Sequence, residues 1–106
     1  MAEHEVIFVR VWRFRVEPAA REAFQHEYGP EGAWARLFAR QEGYLGTELF
    51  GSSDGSGTYV TIDRWRDAKD WHLFLETHRD AYAELDAQCE GLTVAEENLG
   101  SYFSCA

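Results

Sequence analysis

Residues 6 to 16, VIFVRVWRFRV, constrain the fold of this chain more than any other stretch. Their β-branched and aromatic side chains mark a strand. Polar and apolar positions do not alternate, however: Val6, Phe8 and Trp12 fall on one side, and Ile7, Val9 and Val11 on the other. A strand that is apolar on both faces has to be covered on both. Arg10, Arg13 and Arg15 interrupt the pattern and are expected to meet water or a partner's acids.

The segments that follow supply the rest of a sheet and its cover. Pro18 suits the first turn of a helix, and Ala20, Ala23, Phe24 and Tyr28 recur at helical spacing until Gly29-Pro30 stops the run. After Gly32 the helix is expected to resume as Ala33, Trp34, Leu37 and Phe38, with Gly43 as its cap. YLGTELF (44–50) and TYVTIDRW (58–65) are predicted strands joined by GSSDGSG. That link lacks the lysine and the following helix of a phosphate loop.

Asp67 is placed to cap the next helix, with Asp70 completing a box-like pair. Trp71, Phe74, Leu75, His78, Tyr82, Leu85 and Cys89 then form one continuous helical stripe ending at Gly91, and NLGSYFSC (98–105) is a plausible fourth strand. The order β-α-β-β-α-β is the split βαβ arrangement, an α+β fold. It is a single antiparallel sheet with the first and third strands central and the helices on one face. The other face stays bare, and the doubly apolar first strand predicts that a second sheet covers it, most simply from an identical subunit about a two-fold axis.

Composition narrows the function. At 106 residues the chain is one domain that buries roughly two-thirds of its unfolded surface. With 15% aromatics, four of them Trp, it carries more ring area than core filling needs, so some rings are expected to line a site. The net charge of -9 argues against nucleic acid and anionic lipid. No run approaches the roughly 20 apolar residues of a membrane span, and the start Met1-Ala2-Glu3-His4-Glu5 is acidic where a signal peptide is basic; a cytoplasmic protein is expected. Cys89 and Cys105 show no metal or disulfide spacing and read as free thiols.

VWRFRV, GAWARLFARQEGYLGTEL and YVTIDRW resemble the antibiotic biosynthesis monooxygenase superfamily, dimeric α/β-barrel proteins with ferredoxin-like subunits. The similarity runs over about residues 6 to 103, and it makes 1–106 a single domain of that kind. GYLGTEL and the Trp that closes the third strand are its most specific parts. The superfamily includes cofactor-independent oxygenases of polycyclic aromatic or quinol-like compounds, haem-degrading enzymes, and members with no established reaction. The resemblance implies a homodimer, a ligand cavity between helices and sheet, and an aromatic wall at Trp65. Gly29-Pro30 and Gly32 would then let the first helix arch over the cavity, and Gly46 would keep a strand from filling the space below. The plainer account is a tight turn and a bulge.

His78 is the one basic side chain on the second helical stripe. A neutral imidazole in an apolar cavity can take a proton from a phenol or enol, the step that makes such a substrate electron-rich enough to react with oxygen. Equally, it is a core histidine bonded to a backbone carbonyl. Trp65 is the second candidate catalytic residue, and Tyr28, Trp34, Phe24, Trp71 and Tyr82 are candidates to hold the ring, though aromatics at this spacing also serve as plain core. His72, one position off the stripe, and Arg64, opposite Trp65 on a regular strand, are expected at the surface. His72 and Glu76 share a face without a third ligand, which makes a poor metal site.

A lone His among aromatics also resembles an axial haem ligand. The haem-degrading relatives pair it with an Asn on the first strand, whereas here the only Asn is Asn98. The expected function is a cofactor-independent monooxygenase that uses molecular oxygen on a planar phenolic or quinol-type metabolite, with no cofactor. The rivals are a non-catalytic small-molecule-binding or stress-response dimer and, behind it, a haem protein.

Overall fold

The computed structural model describes residues 6–105; the acidic start with His4 lies outside them. The first strand, β1, is Phe8–Arg15. A 3-10 turn at Pro18–Ala20 leads into α1 (Arg21–Tyr28), and α2 (Ala33–Phe38) follows the expected break. β2 (Tyr44–Gly51) and β3 (Thr58–Trp65) form the hairpin. α3 (Ala68–Thr77), α4 (Arg79–Cys89), a 3-10 turn at Glu90–Leu92 and β4 (Ala95–Phe103) complete the chain. All pairings are antiparallel, in the order β2-β3-β1-β4, so β1 and β3 are central as the element order predicts. The fold is the ferredoxin-like α+β sheet.

Register fixes which residues meet the helices. Phe8, Trp12 and Phe14 on β1 lie opposite Trp65, Thr61 and Tyr59 on β3. Phe8, Phe14, Tyr59 and Trp65 pack with Phe24, Phe38, Trp71 and Phe74 from the helices in one buried cluster. Trp65, Phe24, Phe74 and Val16 are the most deeply buried large side chains. On the other face Val9, Val11, Val60 and Ile62 are only half-buried, flanked by the exposed Phe50 and Tyr102. Arg13 pairs with Glu97, and Arg64 with Glu48, on that same outer face.

Four expectations need correction. The second helix is not continuous: it breaks at His78, whose backbone (φ -114, ψ 28) departs from helical values between α3 and α4. Hydrogen bonds from His78 N to Phe74 O and from Tyr82 N to His78 O bridge the joint, which is why the apolar spacing runs through it unbroken. Gly43 does not cap α2, which ends at Ala39 in helical conformation. It takes φ +97 in the turn before β2, where a Cβ would fall 2.1 Å from Asp70 Oδ2. Asp70 gives its N–H to the Asp67 cap at 2.9 Å but turns its carboxylate to Arg66 Nε, 2.8 Å away, so there is no reciprocal box. Finally, β4 starts three residues early, because Ala95, Glu96 and Glu97 lie on an edge strand where polar side chains reach water.

The glycines divide by role. Gly32 has ordinary extended dihedrals, yet a Cβ there would stand 2.4 Å from the carbonyl oxygens of His26 and Glu27. The start of α2 therefore lies directly on the end of α1, which only a glycine allows. Gly46 sits at φ +134 in a bulge opposite Arg64, on the outer face, with nothing within 4 Å of a Cβ. It shapes the bulge and does not leave room under the helices; Thr47, the next residue, is on the inner side.

Candidate active site

Between the inner sheet face and the helices lies a slot whose floor is Trp12, Thr47, Thr61 and Asp63. Tyr28, Trp34, Trp71 and Tyr82 form its walls, and Asp86 and Glu96 stand beside it as exposed carboxylates. Its empty space is about 530 Å³ including the open mouth, but the centre of a water-sized sphere can reach only about 60 Å³. At roughly 10–15 Å³ for each water, that is room for a few waters rather than for a fused ring system.

The walls are interlocked rings. Trp34 meets Tyr82 edge-on with centroids 5.1 Å apart and lies 6.0 Å from Tyr28. Phe24 stacks on Tyr28 at 4.3 Å, from behind the wall. Trp65 is fully buried, ringed by Phe38, Tyr44, Trp71 and Phe74 at 5.3–5.7 Å, with its indole N–H unbonded. It supports Trp71 and does not line the slot. Of the residues singled out from sequence, Tyr28, Trp34, Trp71 and Tyr82 come together around the slot, while Phe24 and Trp65 back it.

His78 stands apart from this group. It is absent from the lining, partly exposed at the joint between α3 and α4, and its ring packs on Phe74 at 5.3 Å. His72 is exposed, and no third His, Cys, Asp or Glu joins it and Glu76 in a metal-binding group among the described residues. Cys89 is a buried free thiol pushed up by burial, and Cys105 is free and exposed. Asn98, on β4, accepts a hydrogen bond from Gly100 N at 2.8 Å.

The polar centre is one that the sequence reading did not single out. Asp63 is 7% exposed, on the inner face of a central strand, directly opposite Arg10 on β1 and Thr47 on β2. Its Oδ1 accepts from Thr47 Oγ1 at 2.7 Å, and Thr47 Oγ1 is in turn hydrogen-bonded to the Tyr44 hydroxyl. Burial pushes the Asp63 carboxyl up to about 6, and the Thr47 hydrogen bond and the Arg10 charge offset only part of this. Burial likewise raises the phenols of Tyr28 and Tyr82, and that of Tyr44 to about 12. Arg10 bonds Ser101 Oγ at 2.6 Å and lies 5.2 Å over the Trp71 ring, with its buried Nε unpartnered. The available signal for Asp63 was period two: Tyr59, Thr61, Asp63 and Trp65 share a side, and an acid in phase with a core Trp is out of place.

The family model for antibiotic biosynthesis monooxygenase matches residues 7–87. Among solved structures, SnoaB, a cofactor-independent oxygenase from Streptomyces nogalater, is 23% identical, with a TM-score of 0.62 over 95% of this chain and 91% of that one. A monooxygenase from the gene ActVA-Orf6 of Streptomyces coelicolor, in complex with Nanaomycin D, is 20% identical, with a TM-score of 0.71 over 96% and 88%. PA3566 from Pseudomonas aeruginosa is 17% identical, with a TM-score of 0.67 over 98% and 100%. At these identities the likeness is one of fold. No protein of curated function matches the chain by sequence.

Proposed function

The chain belongs to the antibiotic biosynthesis monooxygenase family, and from that premise we propose that it is a cofactor-independent monooxygenase of a planar phenolic or quinol-type aromatic, with molecular oxygen as co-substrate. The observation that carries this reading is the slot itself, where four aromatic walls from the helices face a floor with one buried carboxylate. Flat walls favour a flat ligand, through stacking and through loss of apolar surface from water. The exposed Asp86 and Glu96 beside it favour a neutral ligand over one bearing a carboxylate of its own.

The fold relatives described as a cofactor-independent oxygenase and as a monooxygenase holding Nanaomycin D support the same chemistry here. For an anthrone-type ring ketone the reaction is methylene plus dioxygen to carbonyl plus water: one oxygen atom stays on carbon, and the other leaves with the two methylene hydrogens. A ligand of two or three fused rings needs more than the 60 Å³ now open, so its entry requires wall side chains to shift. The half-buried valines and Ile62 on the outer sheet face support a homodimer, since a second copy of the same face would cover them.

An oxygen electrode tests the reading. Metal-free protein with anthrone or 1,4-dihydroxynaphthalene should consume oxygen well above the buffer rate, and Trp34→Ala should lose most of that rate. Uptake at the buffer rate, with the compound bound, would leave a binding protein in place of an enzyme.

A further inference from the structure

Asp63 is an expensive residue for a strand in the centre of a sheet. It is 7% exposed, and no ion pair between it and any basic residue is found among the described residues. The nearest cation by register, Arg10, is directly opposite but is engaged with Ser101 and the Trp71 ring. A carboxylate buried for structural reasons is normally paired, because leaving it unpaired costs the fold its desolvation free energy. Holding the Thr47 hydroxyl needs only a neutral acceptor.

The hydrogen-bond chain has one direction. Thr47 has a single hydroxyl proton and gives it to Asp63 Oδ1, so the bond between Tyr44 and Thr47 runs from the tyrosine. Both protons of the chain thus point toward the carboxylate and fix it as an acceptor. No donor reaches Oδ2 among the described residues; the carboxylate forms part of the slot floor, and Oδ2 is not among its fully buried atoms lacking a partner.

From this placement we infer that Asp63 is the proton acceptor of the site, taking the acidic proton of a bound aromatic substrate on Oδ2 while Thr47 and Tyr44 hold Oδ1. This rests on the oxygenase reading of the slot. With an anthrone-type substrate the methylene C–H bond breaks and its proton forms the new O–H bond on Oδ2. The electron pair stays with the substrate as an enolate spread over the ring and carbonyl oxygen. That anion is the reductant and dioxygen the oxidant: a C–O bond forms to give a peroxide, Asp63 returns its proton to the outer peroxide oxygen, and loss of the second methylene proton with cleavage of the O–O bond leaves the carbonyl and water.

The charged and titratable groups facing this point are Arg10 on β1, Tyr44 on β2, Tyr28 on α1, Tyr82 and Asp86 on α4, and Glu96 on β4. The three phenols are driven upward by burial, away from neutral pH. The carboxyl at about 6 is poised to bind and release a proton there.

Anaerobic deuterium exchange at the anthrone methylene, followed by NMR in D2O, isolates the proton step from the oxygen step. Wild type should accelerate exchange, and Asp63→Asn should lower it about 100-fold, the usual reach of a general base. Quenching of tryptophan fluorescence by anthraquinone, which has no such C–H, should stay within about twofold. Thr47→Val removes a bond that lowers the Asp63 carboxyl, so it should move the pH limb of exchange to higher pH. Exchange by Asp63→Asn at the wild-type rate overturns the assignment, as does wild-type exchange no faster than buffer. Should Asp63→Asn fail to bind anthraquinone, Thr47→Val decides, and an unmoved limb overturns it. Exchange that depends on Asp63 without oxygen uptake would keep the base and remove the oxygenase.

Discussion

Replacing Asp63 by Asn should make the protein more stable at neutral pH, a result that ordinary core substitutions rarely give. The carboxyl rises from 3.8 to about 6 on folding. Below the unfolded value both states hold the proton, and the residue carries no penalty. Between that value and about 6 the folded chain binds more protons than the unfolded one, so stability falls as pH rises; above it the full penalty is present. A rise of about two units corresponds to about 3 kcal/mol. Asparagine has the same outline, accepts the Thr47 hydrogen bond and never ionises. Urea unfolding followed by circular dichroism, at one fixed protein concentration from pH 4 to 8, reads the difference. The variant should exceed wild type by about 2–3 kcal/mol at pH 7.5 and agree within about 0.5 kcal/mol near pH 4. A difference that does not change with pH, or a variant less stable at pH 7.5, would refute the reasoning, because it would mean that some cation compensates the ionised carboxylate.

His78→Ala decides between the two candidate bases: from its place outside the slot, oxygen uptake should remain within about twofold of wild type, and a hundredfold loss would return the proton to the imidazole. Gly32→Ala should destabilise by about 3 kcal/mol or more, because its Cβ would press on two backbone oxygens, whereas Gly46→Ala should cost only the strain of its positive φ, about 1–3 kcal/mol, and leave anthraquinone quenching unchanged. Thermal and urea unfolding compare the pair. Ile62→Lys places a charge in the middle of the outer sheet face and should turn a dimer into a monomer by sedimentation; a wild type already monomeric at micromolar concentration would count against the two-fold assembly.

The sheet was legible because its strands carry chemistry that survives translation into one dimension. β-branched and aromatic runs gave β1, β2 and β3, and the element order gave β1 and β3 their central positions. The start of β4 was hidden, since an edge strand tolerates Glu96 and Glu97. The break at His78 was also hidden: intervals of three and four continue across it, and only the backbone angles report the joint. Helical spacing put Tyr28, Trp34, Trp71 and Tyr82 on the inner sides of their helices, and the family resemblance named them as candidates to line a cavity. Asp63 did not, because β3 carries Val60 and Ile62 on one face and Tyr59 and Trp65 on the other, so no polar side orients the strand. Without that orientation, a single acid reads as a solvent-facing residue. Gly46 misled for a related reason, since the bulge exchanges inner and outer positions just before Thr47.

The bare α-carbon of Gly43 reaches further than its turn. It leaves the space that the Asp70 carboxylate fills, Arg66 N donates to the Gly43 carbonyl at 2.7 Å, and Asp70 is itself fixed to Arg66 and Asp67. Trp71 is the next residue along, so one wall of the slot stands on a latch between a surface turn and the first coil of α3. On the proposed function, sequence change in that turn would tilt the indole and so retune which ring shapes the slot accepts, while every residue lining it stays the same.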